Sequence, residues 1–238
     1  MIFKSDVMNL NFKSGVGFLT FKDLENYDFL IHAFSTRLGG VSDNEFSSMN
    51  LSFTRGDSQA NVFRNYHKFC DAIGVDYNTL VASKQDHHDN IRKVKKEDIG
   101  IGIYKEHDLS SIDGLITNEP LITLVTYYAD CTPIYFVDPI KKVVALAHAG
   151  WRGTILKIAK KMVDIMQNDY FCSINDIKCA IGPCIGPCCY EVDYDVASKF
   201  KNLEDDNTYS IVKNLNNGKY SVDLYKANKQ ILLSCGIK

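Results

Sequence analysis

The chain has 238 residues, 45% of them hydrophobic, with 27 Lys and Arg against 29 Asp and Glu for a net charge of −2. That length supplies enough apolar material for a core, and the near-balance of charge excludes a nucleic-acid or membrane surface built on bulk charge. Eight cysteines in a chain this long read as thiols kept reduced rather than as a secreted disulfide scaffold.

The opening "MIFKSDVMNLNFKSGVGFLTF" lacks the long apolar run of a signal peptide, and no stretch reaches the ~18 apolar residues of a membrane span. A soluble, cytoplasmic protein is expected. "DFLIHAFST" (28–36) reads as a strand ending at the turn "RLGGVSDN". "SQANVFRNYHKFCDAIGV" (58–75) reads as a helix capped by Asp57 or Ser58, with Val62, Phe63, Tyr66, Cys70 and Ile73 at helical spacing. "TLVASKQ" (79–85) is a short strand running into "DHHDN", and "DGLITN" (113–118) is another. "PLITLVTYYA" (120–129) and "KKVVALAHAG" (141–150) are strongly β-prone runs, joined by "FVDPIKK" with its Asp-Pro turn. "GTILKIAKKMVDIMQNDY" (153–170) predicts one amphipathic helix burying Ile155, Leu156, Ile158, Ala159, Met162, Val163, Ile165 and Met166. "DIKCAIGP" (176–183) returns as a strand, and "DYDVASKFK" and "DLYKANKQILLSCGI" read as later helices, the second capped by Asp223. Without linkers or repeats this predicts a single domain over residues 1–238. Strands and helices mix without βαβ alternation, which favours an α+β design with mixed sheets.

Several familiar motifs are absent. "GIGIYK" lacks the third glycine of a dinucleotide fingerprint, and there is neither a phosphate-binding P-loop nor a Gly-x-Ser-x-Gly elbow. "PCIGPCC" (183–189) does not have the cysteine spacing of a zinc deaminase or a zinc knuckle, so a direct metal role for Cys184, Cys188 or Cys189 is disfavoured.

Three stretches carry the chemistry: "KQDHHDN", "YADCTP" and "AHAGWRG". In each, a strand of apolar residues ends at a His or Cys beside small and polar residues, a common way to deliver a site to one rim of a sheet. One thiolate and two imidazoles suit a zinc site with an open fourth position, and the same set tolerates copper. Two other readings stay open on spacing alone. Cys131 could be a nucleophile with His148 as base and Asp130 as the orienting acid, or it could be a buried core thiol.

The ordered set "HAFSTRLGGVS", "NLSFTRGD", "DGLITN", "ADCTPIYFVDP", "HAGWRGT" and "IGPCIGPCCYEV" resembles the laccase-domain proteins of the YfiH/YlmD type. These were first called multicopper polyphenol oxidases and later described as zinc-binding purine nucleoside phosphorylases with adenosine deaminase and methylthioadenosine phosphorylase activities. The resemblance implies a four-layer α/β/β/α sandwich and a metal triad of His87, Cys131 and His148, with His88 as the alternative first ligand. It implies purine nucleosides and phosphate as partners, and zinc, or alternatively copper, as cofactor. Arg37 and Arg152 are the candidates for phosphate, since Arg suits its charge and geometry. Asp130 is the candidate proton shuttle, Gln85 and Asn50 are weaker candidates for substrate hydrogen bonds, and Trp151 either stacks on a base or packs in the core. Family members continue past a region like "LLSCGIK" into an arginine-rich end. This sequence stops at Lys238, so the expectation is either that the segment is missing from it or that this member lacks one.

Overall fold

The computed structural model describes residues 4–200, 203, 210–215 and 217–238. The chain groups into two compact units, Met1–Thr79 and Leu80–Lys238. The architecture is α+β with mixed sheets, as the strand and helix order suggests.

In the first unit, strands β1 (Met8–Lys13), β2 (Val16–Phe21) and β3 (Phe34–Ser35) form an antiparallel sheet, and helix α1 (Gln59–Ile73) follows. The strand expected over 28–36 is only two residues long. His32 explains this: its Nε2 accepts the Phe21 amide at 2.8 Å, so a side chain does the work of a backbone carbonyl. Helix α1 buries Val62, Tyr66 and Cys70 as its periodicity predicts, while Phe63 stays 37% exposed. Ser58 is its N-cap residue without a side-chain cap bond, and Gly74 closes the helix in the left-handed conformation with φ 81°. Asn65, fully buried on α1, accepts the Val41 amide and donates to Ser42 Oγ and the Asn50 carbonyl, tying down the 41–50 loop.

The second unit contains β4 (Leu80–Ala82), β5 (Asn90–Lys93), β6 (Ile112–Thr117), β7 (Thr123–Val125), β8 (Thr132–Asp138) and β9 (Val143–Ala149). Then come α2 (Trp151–Ile155), α3 (Ile158–Tyr170), β10 (Lys178–Ile181), β11 (Glu191–Val192), α4 (Tyr194–Phe200), β12 (Val212–Asn214), β13 (Tyr220–Val222) and α5 (Leu224–Ser234). Its central sheet has the order β10-β8-β9-β6-β5, antiparallel except for the parallel β6–β5 pair. The alternation of a strand sets its two faces. Ile116 of β6 and Ile134 and Phe136 of β8 join Ile158, Met162, Met166, Ile231 and Leu232 of the helices in one core. Leu115 faces the other way, toward Val81 and the small parallel β4–β7 pair. Gly114 permits the close approach: a Cβ there would stand 2.7 Å from Ile91 Cγ1 and 3.1 Å from Met162 Cε. Burying each such aliphatic side chain stabilises by about 1.5–3 kcal/mol, so a charge at Met162 would break this layer.

Two expected elements are corrected. The β-prone run 120–129 yields only three strand residues, and the hairpin partner of β9 is β8, with register Thr132↔Ala149 and Pro133↔His148. Cys131 therefore directly precedes a strand rather than ending one. The helix expected over 153–170 is broken at Leu156–Lys157: Lys157 takes φ 57°, and Leu156 is 49% exposed instead of buried. Asp223 caps α5 as expected, accepting the Lys226 amide at 2.9 Å.

Candidate metal centre

Strand direction assembles this site. The starts of β5, β6 and β8 and the end of β9 lie along one rim of the central sheet, because β6 runs antiparallel to β9 and parallel to β5. His87 precedes β5, Cys131 precedes β8, and His148 lies near the end of β9. Their ligand atoms all lie within 4.8 Å of one another. A single ion with bonds of about 2.0–2.3 Å could reach all three after a small inward rotation of the side chains.

Asp113, the second residue of β6, holds this arrangement. It is fully buried. Its carboxylate accepts the amides of Asp86 (3.3 Å), His87 (3.0 Å) and His88 (2.9 Å). The same carboxylate accepts Nδ1–H of His148 at 2.7 Å, which leaves Nε2 as the free lone pair. One buried charge thus orients two of the three candidate ligands. It also supports His87 in a left-handed backbone, φ 72°, which costs a non-glycine residue about 1–2 kcal/mol. The ring of His148 lies 5.0 Å from that of His87 and 5.6 Å from that of Tyr128, whose hydroxyl donates to the Ala147 carbonyl.

Three observations test whether the residues suit a cation. The donors are a thiol and two imidazoles, with the thiol half-buried. Gly150 lies between them, since a Cβ there would stand 2.9 Å from both Cys131 Sγ and His87 Cδ2. Burial, and then the negative charges of Asp130 and Asp113, push the Cys131 thiol up to about 11. Acidic groups near the sulphur suit a bound cation, which would in turn stabilise the thiolate. The residues therefore fit a metal ion.

The two histidines of "DHH" are now separated. His88 turns outward, its Nδ1 2.8 Å from Asp86 Oδ1, with 55% of its side chain exposed. It takes no part in the three-residue cluster.

The remaining candidates are placed as follows. Asp130 is exposed next to Cys131, and its carbonyl accepts the Ile185 amide at 2.8 Å. Arg152 sits in the first turn of α2, exposed, with its guanidinium 4.3 Å over the Trp151 ring. Trp151 itself packs against the core cluster of Val192, Phe200 and Leu224, so packing rather than stacking on a base accounts for its position. Gln85 is spent on structure: Oε1 accepts the Tyr127 amide (2.7 Å) and the Ser83 hydroxyl (2.8 Å), and Nε2 donates to the Tyr127 carbonyl (2.8 Å). Arg37 and Asn50 belong to the first unit and serve their own loop there. Arg37 donates to the carbonyls of Ser47 and Glu45, both at 2.9 Å, and Asn50 donates to Asp57 at 2.9 Å.

Asp113 and Gly150 escape a reading of the sequence as site residues. Asp113 has a usable signal, because an acid inside the apolar "IDGLIT" must find several donors once buried. Gly150 has none beyond its place in "HAGWRG".

A family model described as multi-copper polyphenol oxidoreductase laccase matches residues 31–238. The purine nucleoside phosphorylase YlmD of Geobacillus stearothermophilus is 37% identical over 204 residues, which cover 85% of this chain and 74% of that protein. Adenosine deaminase RL5, from an unknown prokaryotic organism, is 33% identical over 222 residues, covering 90% of this chain and 84% of its own. The crystal structure of YlmD from Geobacillus stearothermophilus superposes with a TM-score of 0.88 at 33% identity, covering 98% of this chain and 86% of that one.

Proposed function

The chain belongs to the multi-copper polyphenol oxidoreductase laccase family, and from that premise we propose that it is a zinc-dependent purine nucleoside phosphorylase. It converts adenosine, inosine or guanosine and phosphate to the free base and ribose 1-phosphate, with adenosine deaminase and methylthioadenosine phosphorylase activities at the same site. The observation that carries this reading is the His87–Cys131–His148 cluster, oriented by one buried carboxylate and followed directly by an exposed arginine.

His87, Cys131 and His148 would hold the zinc, a role that suits one thiolate and two imidazoles. Bound there, zinc supplies Lewis acidity toward the nucleoside. Asp113 keeps the proton on Nδ1 of His148. Arg152 binds the phosphate dianion through a guanidinium whose plane is supported from below by Trp151. Asp130, exposed at the same rim, shuttles a proton from solvent or monobasic phosphate to the departing purine. Gln85 contributes by fixing the segment before Cys131 rather than by touching substrate. A copper-dependent phenol oxidase is the second reading, supported by the printed description of the family model.

The test is a panel of purine nucleosides incubated with phosphate and protein of measured metal content, with products separated by chromatography. Base and ribose 1-phosphate formed in proportion to zinc content are expected. Phenol oxidation after copper loading, without nucleoside turnover, would replace this reading with the oxidase.

A further inference from the structure

The loop between β10 and β11 contains thiols that the reading above leaves unused. Of the eight cysteines, Cys188 and Cys189 are the exposed ones, while the other six are buried or half-buried. Adjacent side chains point apart in an extended strand. Here a turn brings them together: the amides of Cys189 and Tyr190 both donate to the Gly186 carbonyl at 3.0 Å, and the two sulphurs stand 3.4 Å apart. The backbone is fixed on both sides. Gly182 donates to the Pro133 carbonyl at 2.9 Å and Ile185 to that of Asp130 at 2.8 Å. Beyond the turn, Val222 donates to the Tyr190 carbonyl at 3.2 Å, and Glu191 pairs with Ser221. The pair is therefore displayed on an anchored turn next to the metal rim, not on a free tail.

We propose that the exposed Cys188–Cys189 pair is a binding site for monovalent copper, separate from the His87–Cys131–His148 cluster. Thiolate ligands select soft Cu(I), whereas zinc takes four ligands and is poorly served by two. The contact between the sulphurs supports this preference: a hydrogen bond with Cys188, and then its charge, push the Cys189 thiol up, and a soft cation between the two sulphurs takes the place of that shared proton. On binding, two S–H bonds break, two Cu–S bonds form and two protons leave to solvent. Copper enters and remains as Cu(I), so no oxidant or reductant takes part. Copper found on this chain would then sit at the turn while zinc occupies the rim.

The test is an anaerobic titration of the zinc-loaded, phosphine-reduced protein with Cu(I), in competition with a Cu(I)-specific chromophoric chelator and with both metals counted. About one copper per chain is expected, with zinc retained. Cys188→Ser and Cys189→Ser should each weaken copper retention at least about tenfold and leave zinc content and phosphorolysis unchanged. The proposal is overturned if both serine variants hold copper like the parent, if copper uptake releases zinc and is lost instead in Cys131→Ser, or if the reduced parent takes up no copper. Should the protein hold no zinc, the phosphorylase reading fails, while a copper equivalent lost with Cys188→Ser still upholds the site at the turn.

Discussion

His87, Cys131 and His148 converge around a carboxylate that has no solvent exposure, whereas Cys188 and Cys189 stand on a surface turn held by the Gly186 carbonyl. Both places offer sulphur to a cation, but only the rim has an outer layer of support. Asp113 fixes a tautomer, a ring and a left-handed loop at once, so the rim is pre-set for one geometry. The turn has two exposed side chains free to rotate, so it discriminates by ligand softness rather than by shape. The difference teaches that donor type alone does not define a metal centre. Buried second partners do.

The contrast is sharpened first at Cys131. Cys131→Ala should remove the metal and lower phosphorolysis by about a thousandfold, since Lewis-acid stabilisation amounts to several kcal/mol. Elemental analysis with a steady-state assay checks it, and retained phosphorolysis would sink the metal reading. Asp113→Asn comes next, because an amide N–H then faces groups that themselves donate. Zinc affinity should fall about 10–100-fold by chelator competition. Hydrogen exchange at the amides of Asp86, His87 and His88 should also quicken in metal-free protein, a readout independent of activity. Gly150→Ala should weaken zinc about tenfold, as its methyl would meet Cys131 and His87 at 2.9 Å. Unchanged affinity there would mean the ligands have more room than the contact implies. Arg152→Ala should raise the phosphate KM about tenfold with little change in zinc content, the loss of a charge-assisted contact. His88→Ala should change neither zinc nor turnover by more than about twofold, because its partner Asp86 is a surface acid. A large loss there, with His87→Ala silent, would reverse the two histidines.

The elements were most legible where periodicity decides. Helices α1 and α5, strand β9 and the Asp223 cap lie where apolar spacing and capping chemistry put them. The two shortened strands share one cause: side chains replace backbone partners. His32 takes the Phe21 amide and shortens β3, and Gln85 takes both backbone groups of Tyr127 where the run 120–129 suggests a longer strand. Such substitutions connect residues distant in sequence and leave no periodic trace. The break at Lys157 has another origin, a left-handed residue that nothing in "TILKIAKK" marks.

By itself, the sequence determined the mixed α+β design, the family and the donor types, because motif order and apolar alternation are local properties of the chain. Tertiary structure alone decided which histidine of "DHH" faces Cys131 and His148, that Asp113 stands behind the rim, and that Arg37 and Gln85 bond backbone groups while Asn50 donates to Asp57. The physical reason is that a buried carboxylate must collect its donors from wherever the strands bring them. Here the pairing of β6 with β9 brings His148, and its pairing with β5 brings the 86–88 loop, to the same acid, a convergence that follows from the strand pairing rather than from any spacing along the chain.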